Sequence, residues 1–247
     1  MKRDAGGEAL TAVQSYIHYL QRLGVTELPV TLAPPVRTEA AALPARAASA
    51  TTRPAQGVTR DAEPAVRLAQ LAAAVHDCRQ CGLHRGRMQV VFGTGDPTAA
   101  LVFVGEAPGH DEDVQGEPFV GAAGQLLNRI IAAIGLRREQ VYMLNVIKCR
   151  PPQNRNPQPD EIAACWPILQ EQLACLRPRI ICALGAFATQ TLLQTDERIS
   201  RLRGRFHRLG DIQVMPTYHP AFLLRNPQYK RAVWEDMQLV QRALGLP

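Results

Sequence analysis

Four apolar runs punctuate residues 100 to 219: "ALVFVG" (100–105), "VYMLNVI" (141–147), "RIICALG" (179–185) and "IQVMPTYH" (212–219). Each has strand length, and none shows the strict apolar–polar alternation of a strand with one wet face. Between and after them, apolar positions recur at helical spacing over 122–134, 159–176, 186–194 and 228–243, and "AVRLAQLAAAVHDC" supplies a further helical stretch beginning near Pro64. Unbroken strands alternating with helices predict a parallel sheet buried on both faces. The expected fold class is therefore α/β, a central, mostly parallel sheet of about four strands flanked by helices in three layers.

The N-terminal part reads differently. Leu10, Val13, Ile17 and Leu20 give residues 8–23 one amphipathic helix, stopped by Gly24. From residue 29 to 62 the chain is rich in Ala, Pro, Thr and Arg, with Pro29, Pro34, Pro35, Pro44 and Pro54 and no aromatic residue. Such a stretch offers no core, which predicts a flexible linker. The expected division is a short helical extension (1–28), the linker (29–62) and a globular domain (63–247).

At 247 residues and 46% apolar, the chain is long enough to bury a substantial core. A formal charge of +6 points to an acidic partner, most commonly nucleic acid. No apolar run approaches the roughly 18 residues of a membrane span, and the N-terminus lacks the apolar segment of a secretory signal. The expectation is an intracellular, cytoplasmic protein with no membrane partner. In that setting six cysteines are thiols or metal ligands sooner than disulfides.

In open parallel sheets ligands bind beyond the carboxyl ends of the strands. That rule selects Gly105–Phe119, Asn145–Asn156, Gly185–Phe187 and His219–Arg225. The first segment, "GEAPGHDEDVQGEPF", carries five carboxylates (Glu106, Asp111, Glu112, Asp113, Glu117) in a chain that is otherwise basic. Phosphate binding is excluded: "GEAPG" is neither GxGxxG nor a P-loop, and close carboxylates would repel a pyrophosphate by about a kcal/mol or more per pair. The loop suits something neutral or transiently positive. Phe119, an aromatic face among small residues at a strand end, fits a nucleobase platform.

Cysteine spacing adds a second site. Cys78 and Cys81 form "CRQC", Cys149 follows the second strand, and Cys165 lies in the next helix. Two adjacent and two distant thiolates enclose a metal centre, and spacing alone leaves zinc and iron–sulfur both open. Cys175, about 15 Å further along that helix, and Cys182, inside an apolar strand, read as buried small hydrophobes.

Taken together, "CRQCGLHRGR", "FVGEAPGHDEDVQGEPFVGAAGQLLNRII", "YMLNVIKCRPPQNRNP", "ALGAFATQTLL" and "TYHPAFLLRNP" resemble family 4 of the uracil-DNA glycosylase superfamily, the thermostable iron–sulfur type. The likeness covers about residues 76 to 235. "KCRPPQNRNPQPDE" lacks the long basic, histidine-bearing insertion of a covalently acting branch, which places the chain with the hydrolytic enzymes. The resemblance implies flipping of uracil out of single- or double-stranded DNA and hydrolysis of its N-glycosidic bond, initiating base excision repair. It implies a structural 4Fe-4S cluster on Cys78, Cys81, Cys149 and Cys165. Glu106 and Glu112 would lie near the reacting centre, with Asn154 organising catalysis. Which residue positions the attacking water stays open, Glu112 serving alternatively to crowd the C5 edge and exclude thymine. Ala107 and Phe119 would contact the flipped base, Asn145 would read its O4 and N3 edge, and His219 would donate to O2.

DNA contacts are expected from the arginines of "RISRLRGRFHRLG", notably Arg201, Arg203 and Arg205, and from Arg155. Leu223, Leu224 and Arg225 would occupy the loop that enters the duplex. The chain is expected to act as a monomer, its N-terminal extension offering a docking segment for a protein partner. Two other classes compete with this reading: a metal-stabilised nucleic-acid-binding module without glycosylase activity, and an iron–sulfur electron carrier. The first would not need Phe119, Asn145 and His219 together, and against the second no flavin or nucleotide fingerprint accompanies the thiols.

Overall fold

The computed structural model describes residues 63–247; the expected N-terminal helix (8–23) and linker (29–62) lie outside the described residues. The four apolar runs form the strands β2 (Leu101–Gly105), β3 (Tyr142–Asn145), β4 (Ile180–Leu184) and β6 (Ile212–Thr217). All four are parallel to their neighbours, in the order β3-β2-β4-β6. Two short strands not expected from the pattern, β1 (Thr94–Gly95) and β5 (His207–Leu209), add antiparallel to the edges. They are only two and three residues long and nowhere fully buried, so they leave no apolar run in the sequence.

Long helices appear where the pattern places them: α1 (Pro64–Val75), α3 (Ala122–Ala133), α4 (Pro159–Leu176), α5 (Gly185–Leu193) and α8 (Lys230–Leu244). Three short helices were not expected: α2 (His110–Gln115) and α7 (Pro220–Arg225), in segments read as loops, and α6 (Ile199–Leu202), in the arginine-rich run. Alternate strand residues feed two cores. Val102, Val104, Leu144, Ile181, Ala183 and Val214 pack with α1, α4 and α5 on one face. Leu101, Phe103, Met143, Ile180, Cys182 and Met215 pack with α3 and α8 on the other. Burial on both faces is why these strands are apolar at every position. No helix among the described residues is long and apolar enough to cross a membrane.

Candidate active site

Because β2, β3, β4 and β6 are parallel, their carboxyl ends open at one edge, with Gly105 in register with Asn145 and Leu184 with Thr217. A cleft of about 620 Å³ lies there. It gathers Glu106, Ala107, Glu112, Phe119, Asn145, Asn154 and His219, with Arg155 and Arg225 at its wall. Segments separated by more than a hundred residues thus meet through strand order alone.

Gly105 makes the floor of this cleft close-packed. A Cβ there would collide with the side-chain oxygen of Asn145 and would stand 2.5 Å from Cζ of Phe119. Glycine is what lets amide and ring approach the same backbone. Asn145 is 2% exposed, yet its side-chain amide bonds to no group among the described residues. The amide lies at the cleft wall, where it is available to a ligand. Phe119 adopts φ +57°, a left-handed conformation costing a bulky residue about 1–3 kcal/mol. Its carbonyl runs so close to Gly124 that any side chain there would clash. Arg138, unremarked in the sequence because "LRREQ" reads as a solvated turn, donates to the carbonyls of Pro118 (2.7 Å) and Phe119 (3.0 Å).

The acidic loop divides into structural and chemical carboxylates. Glu112 accepts N–H bonds from Val120 and Gly121 on one oxygen and from Gly109 on the other, each at 3.1 Å. Asp113, 2% exposed, accepts from Met88 and Gln89 N–H. These two fold the segment as α2 and close the loop over it, which is why so acidic a stretch is not simply solvated. Glu112 was expected near the reacting centre; it does line the cleft, but both its oxygens are already committed to the backbone. Glu106, in contrast, has no hydrogen bond or ion pair to its carboxylate among the described residues, and burial raises its pKa to about 7.

His219 sits just before α7 as its N-cap. Its Nδ1 accepts the Ala221 N–H at 3.1 Å, so that nitrogen carries no proton. Burial, aided by Arg225, lowers its pKa to about 4, so the ring is neutral at physiological pH with its one proton on Nε2. The ring centroid lies 6.0 Å from that of Phe119. Asn154, at φ +55°, accepts from Arg150 Nε at 2.7 Å through its side-chain oxygen, leaving its NH₂ free to donate. A strand-end aromatic, an unpaired amide, a neutral imidazole N–H and a partnerless carboxylate around one cleft suit a flat, uncharged ring with hydrogen-bonding edges.

Comparison with known proteins agrees with this geometry. Residues 92–238 match the model of the uracil DNA glycosylase superfamily. The chain belongs to that superfamily. It is 42% identical over 186 residues to a type-4 uracil-DNA glycosylase of Archaeoglobus fulgidus, covering 72% of this chain and 94% of the relative. It is 44% identical to one from Saccharolobus solfataricus (71% and 85% covered) and 45% identical to one from Thermotoga maritima (66% and 88%).

In this uracil-DNA glycosylase superfamily member the four predicted thiols also converge. Cys78, Cys81, Cys149 and Cys165 line one small void of about 10 Å³, beside Arg87 and Lys148. Arg87 donates to Cys149 Sγ at 3.2 Å. Lys148, 1% exposed, spends its ammonium on the Asn145 carbonyl at 2.6 Å. Neither cation pairs with a carboxylate among the described residues. Burial lowers the Lys148 pKa to about 7 and raises those of Cys81, Cys149 and Cys165; the pairing of Arg87 and Lys148 with four thiols fits an anionic thiolate centre, in which each charge would offset the other. No three Cys, His, Asp or Glu side chains among the described residues are drawn together as for a single metal ion. Cys175 and Cys182 stand apart, each packed in the core on its own side of the sheet.

The expected DNA-contacting residues separate into free and committed groups. Arg203 is a correction: it forms two hydrogen bonds to fully buried Asp236 (3.1 and 2.8 Å) and a third to the Ala232 carbonyl, so it is not available to phosphate. Thr217 donates to the same carboxylate at 2.6 Å. Arg155 lines the cleft, but its guanidinium is paired bidentately with Glu161 at 2.9 and 2.6 Å. Arg205 and Arg225 are exposed without hydrogen-bond or ion-pair partners among the described residues, where Arg201 has only an exposed 3.5 Å pair with Glu197, worth about 0–1 kcal/mol and easily exchanged. Leu223 is a second correction. It is 1% exposed and packs in the core, whereas Leu224 is 44% exposed and projects; successive residues of α7 point about 100° apart around the helix axis, enough to turn one inward and the next outward.

Proposed function

We propose that the cleft receives a uracil extruded from DNA and that the chain hydrolyses its N-glycosidic bond, the opening step of base excision repair. The observation that carries this reading is the fixed state of His219. With Nδ1 held by the Ala221 N–H and the ring neutral, Nε2–H is a donor whose orientation is set before substrate arrives. Bond cleavage moves negative charge onto the departing base, and a preorganised donor at its O2 is worth more in the transition state than in the ground state. Phe119 stacks on the ring, and the unpaired amide of Asn145 reads the O4 and N3 edge. Glu106 faces the sugar, where its carboxylate stabilises developing positive charge and orients water; Glu112 keeps the loop in shape. Asn154, fixed through Arg150, donates toward the same centre.

Cys78, Cys81, Cys149 and Cys165 would hold a 4Fe-4S cluster in this reading. Such a group supplies a cross-link between the segment after α1, the end of β3 and α4, not chemistry on the base. Duplex or single-stranded DNA would lie along Arg201, Arg205 and Arg225, with Leu224 as the side chain entering the stack. The protein would work as a monomer at the nucleoid.

The test is release of labelled base from oligonucleotides carrying uracil or cytosine at one position. The wild-type chain releases uracil alone. Asn145→Asp, which alters the hydrogen-bond pattern at the O4 and N3 edge, lowers uracil release and admits some cytosine. Absence of uracil release from intact protein would sink the reading.

A further inference from the structure

Phe119 holds a backbone conformation that aromatic residues seldom adopt. Within its own loop Glu112 takes the N–H of Val120, and the carbonyls of Pro118 and Phe119 are held from nineteen residues on. Arg138 opens the short turn Arg138–Gln140 that leads into β3, and its guanidinium reaches back to the loop. Nη2 donates to the Pro118 carbonyl at 2.7 Å, and Nη1 donates to the Phe119 carbonyl at 3.0 Å and to Asn128 Oδ1 of α3 at 3.1 Å. Two consecutive carbonyls are thereby held by one planar fork, which fixes the orientation of the peptide between them. Gly124 leaves the room that the Phe119 carbonyl needs to sit there, and Gly105 leaves the room for the ring on the opposite side. Arg138 itself does not line the cleft.

We propose that Arg138 is a positioning residue for base recognition: by holding the carbonyls of Pro118 and Phe119 it keeps the Phe119 ring flat against Gly105, as the face on which the extruded base stacks. The inference rests on the uracil reading of the cleft and adds a residue to it that touches neither base nor sugar. Without the guanidinium, the Phe119 peptide is free to relax out of the left-handed region, and the ring leaves its place. Lysine, a compact charge on a flexible stem without the rigid planar fork, holds the two carbonyls in a less fixed geometry and gives an intermediate effect.

A double-mutant cycle separates this from mere loss of packing. The readouts are inhibition by free uracil, single-turnover uracil release, and affinity for DNA carrying an abasic site, which offers no base to stack. Loss of an aromatic–base stack corresponds to roughly a tenfold effect or more. Arg138→Ala is expected to weaken inhibition by free uracil about tenfold and to slow release similarly, with abasic-site affinity within about twofold. Arg138→Lys should fall between, which also carries the test if the alanine variant is insoluble. In a Phe119→Ala background, Arg138→Ala should add less than about twofold. The proposal is overturned by unchanged uracil inhibition in Arg138→Ala, by an equal loss of abasic-site binding, or by effects of the two substitutions that multiply in full. Failure of the wild-type chain to release uracil would overturn instead the reading on which the proposal rests.

Discussion

The uracil cleft and the thiol cavity lie on two sides of one segment, Asn145–Cys149, and they are built on opposite principles. The cleft is wide, about 620 Å³, and the groups it offers a ligand, Glu106, Asn145 and His219, are neutral or uncompensated. Backbone N–H groups and glycines fix their directions: Ala221 N–H for His219, and Gly105 for Asn145 and Phe119. The cavity is about 10 Å³, walled by apolar side chains, and its charges are cations set beside thiols. Lys148 spans the two, lining the cavity while its ammonium holds the Asn145 carbonyl. The difference teaches how one strand end serves two purposes. Groups that must meet a ligand are oriented and left unpaired, whereas groups that hold the fold together are enclosed and charge-balanced.

The largest effect expected from breaking this contrast is on the closed side. Ala in place of Cys78, Cys81, Cys149 or Cys165 should abolish bound metal and cost most of the soluble protein, because binding energy at a structural centre is folding energy. Cys175→Ala and Cys182→Ala should keep the metal. Elemental analysis with visible absorption checks both: about four irons per chain and a brown colour fit the cluster, and stoichiometric colourless zinc contradicts it.

Next comes Arg203→Ala, which strands the buried Asp236 carboxylate and should cost about 3–5 kcal/mol of stability. A urea titration reads the loss, and uracil release per folded molecule should be unchanged. A phosphate-contacting arginine would give the reverse, weaker DNA binding at intact stability. Leu223→Ala belongs to the same group, costing about 2–5 kcal/mol as a core truncation, while Leu224→Ala leaves stability alone and weakens binding to duplex uracil DNA.

On the open side, Glu106 sets a pH dependence. Its buried carboxyl titrates at about 7, and only the ionised form stabilises positive charge at the sugar. Single-turnover release should rise about tenfold per unit as pH approaches 7 from below and level off above it. His219, at about 4, stays neutral across that range and adds no limb of its own. Glu106→Gln should remove the limb together with most of the rate. A limb that survives in Glu106→Gln would assign it to another group.

Much of this was legible in the sequence, and what was not has physical causes. Strand runs such as "ALVFVG" were legible because burial on both faces leaves an unbroken apolar signature, and strand ends then named Gly105, Asn145 and His219 as neighbours. The edge strands β1 and β5 carry no such signature. Side-chain pairing was illegible as well. In "RISRLRGRFHRLG" nothing distinguishes Arg203 from Arg205, because the carboxylate that claims Arg203 lies thirty-three residues away in α8. Glu112 and Glu106 likewise look alike until the loop closes and three N–H groups converge on Glu112 alone. Arg138 had no signal of any kind, since its partners, two backbone carbonyls and Asn128 Oδ1, are brought to it only by the fold.

The central claim is that the cleft breaks the bond to uracil through a donor fixed in advance at His219. Its most direct test is single-turnover release, at saturating enzyme, by His219→Ala and His219→Asn, alongside their affinity for uracil-containing DNA. Asparagine is included because its side-chain oxygen preserves an acceptor for the Ala221 N–H at the start of α7. The account predicts a loss of about a hundredfold to a thousandfold in rate for both variants, with affinity within a few fold of wild type. Near-wild-type release by either variant, or a loss of affinity that matches the loss of rate, would contradict it.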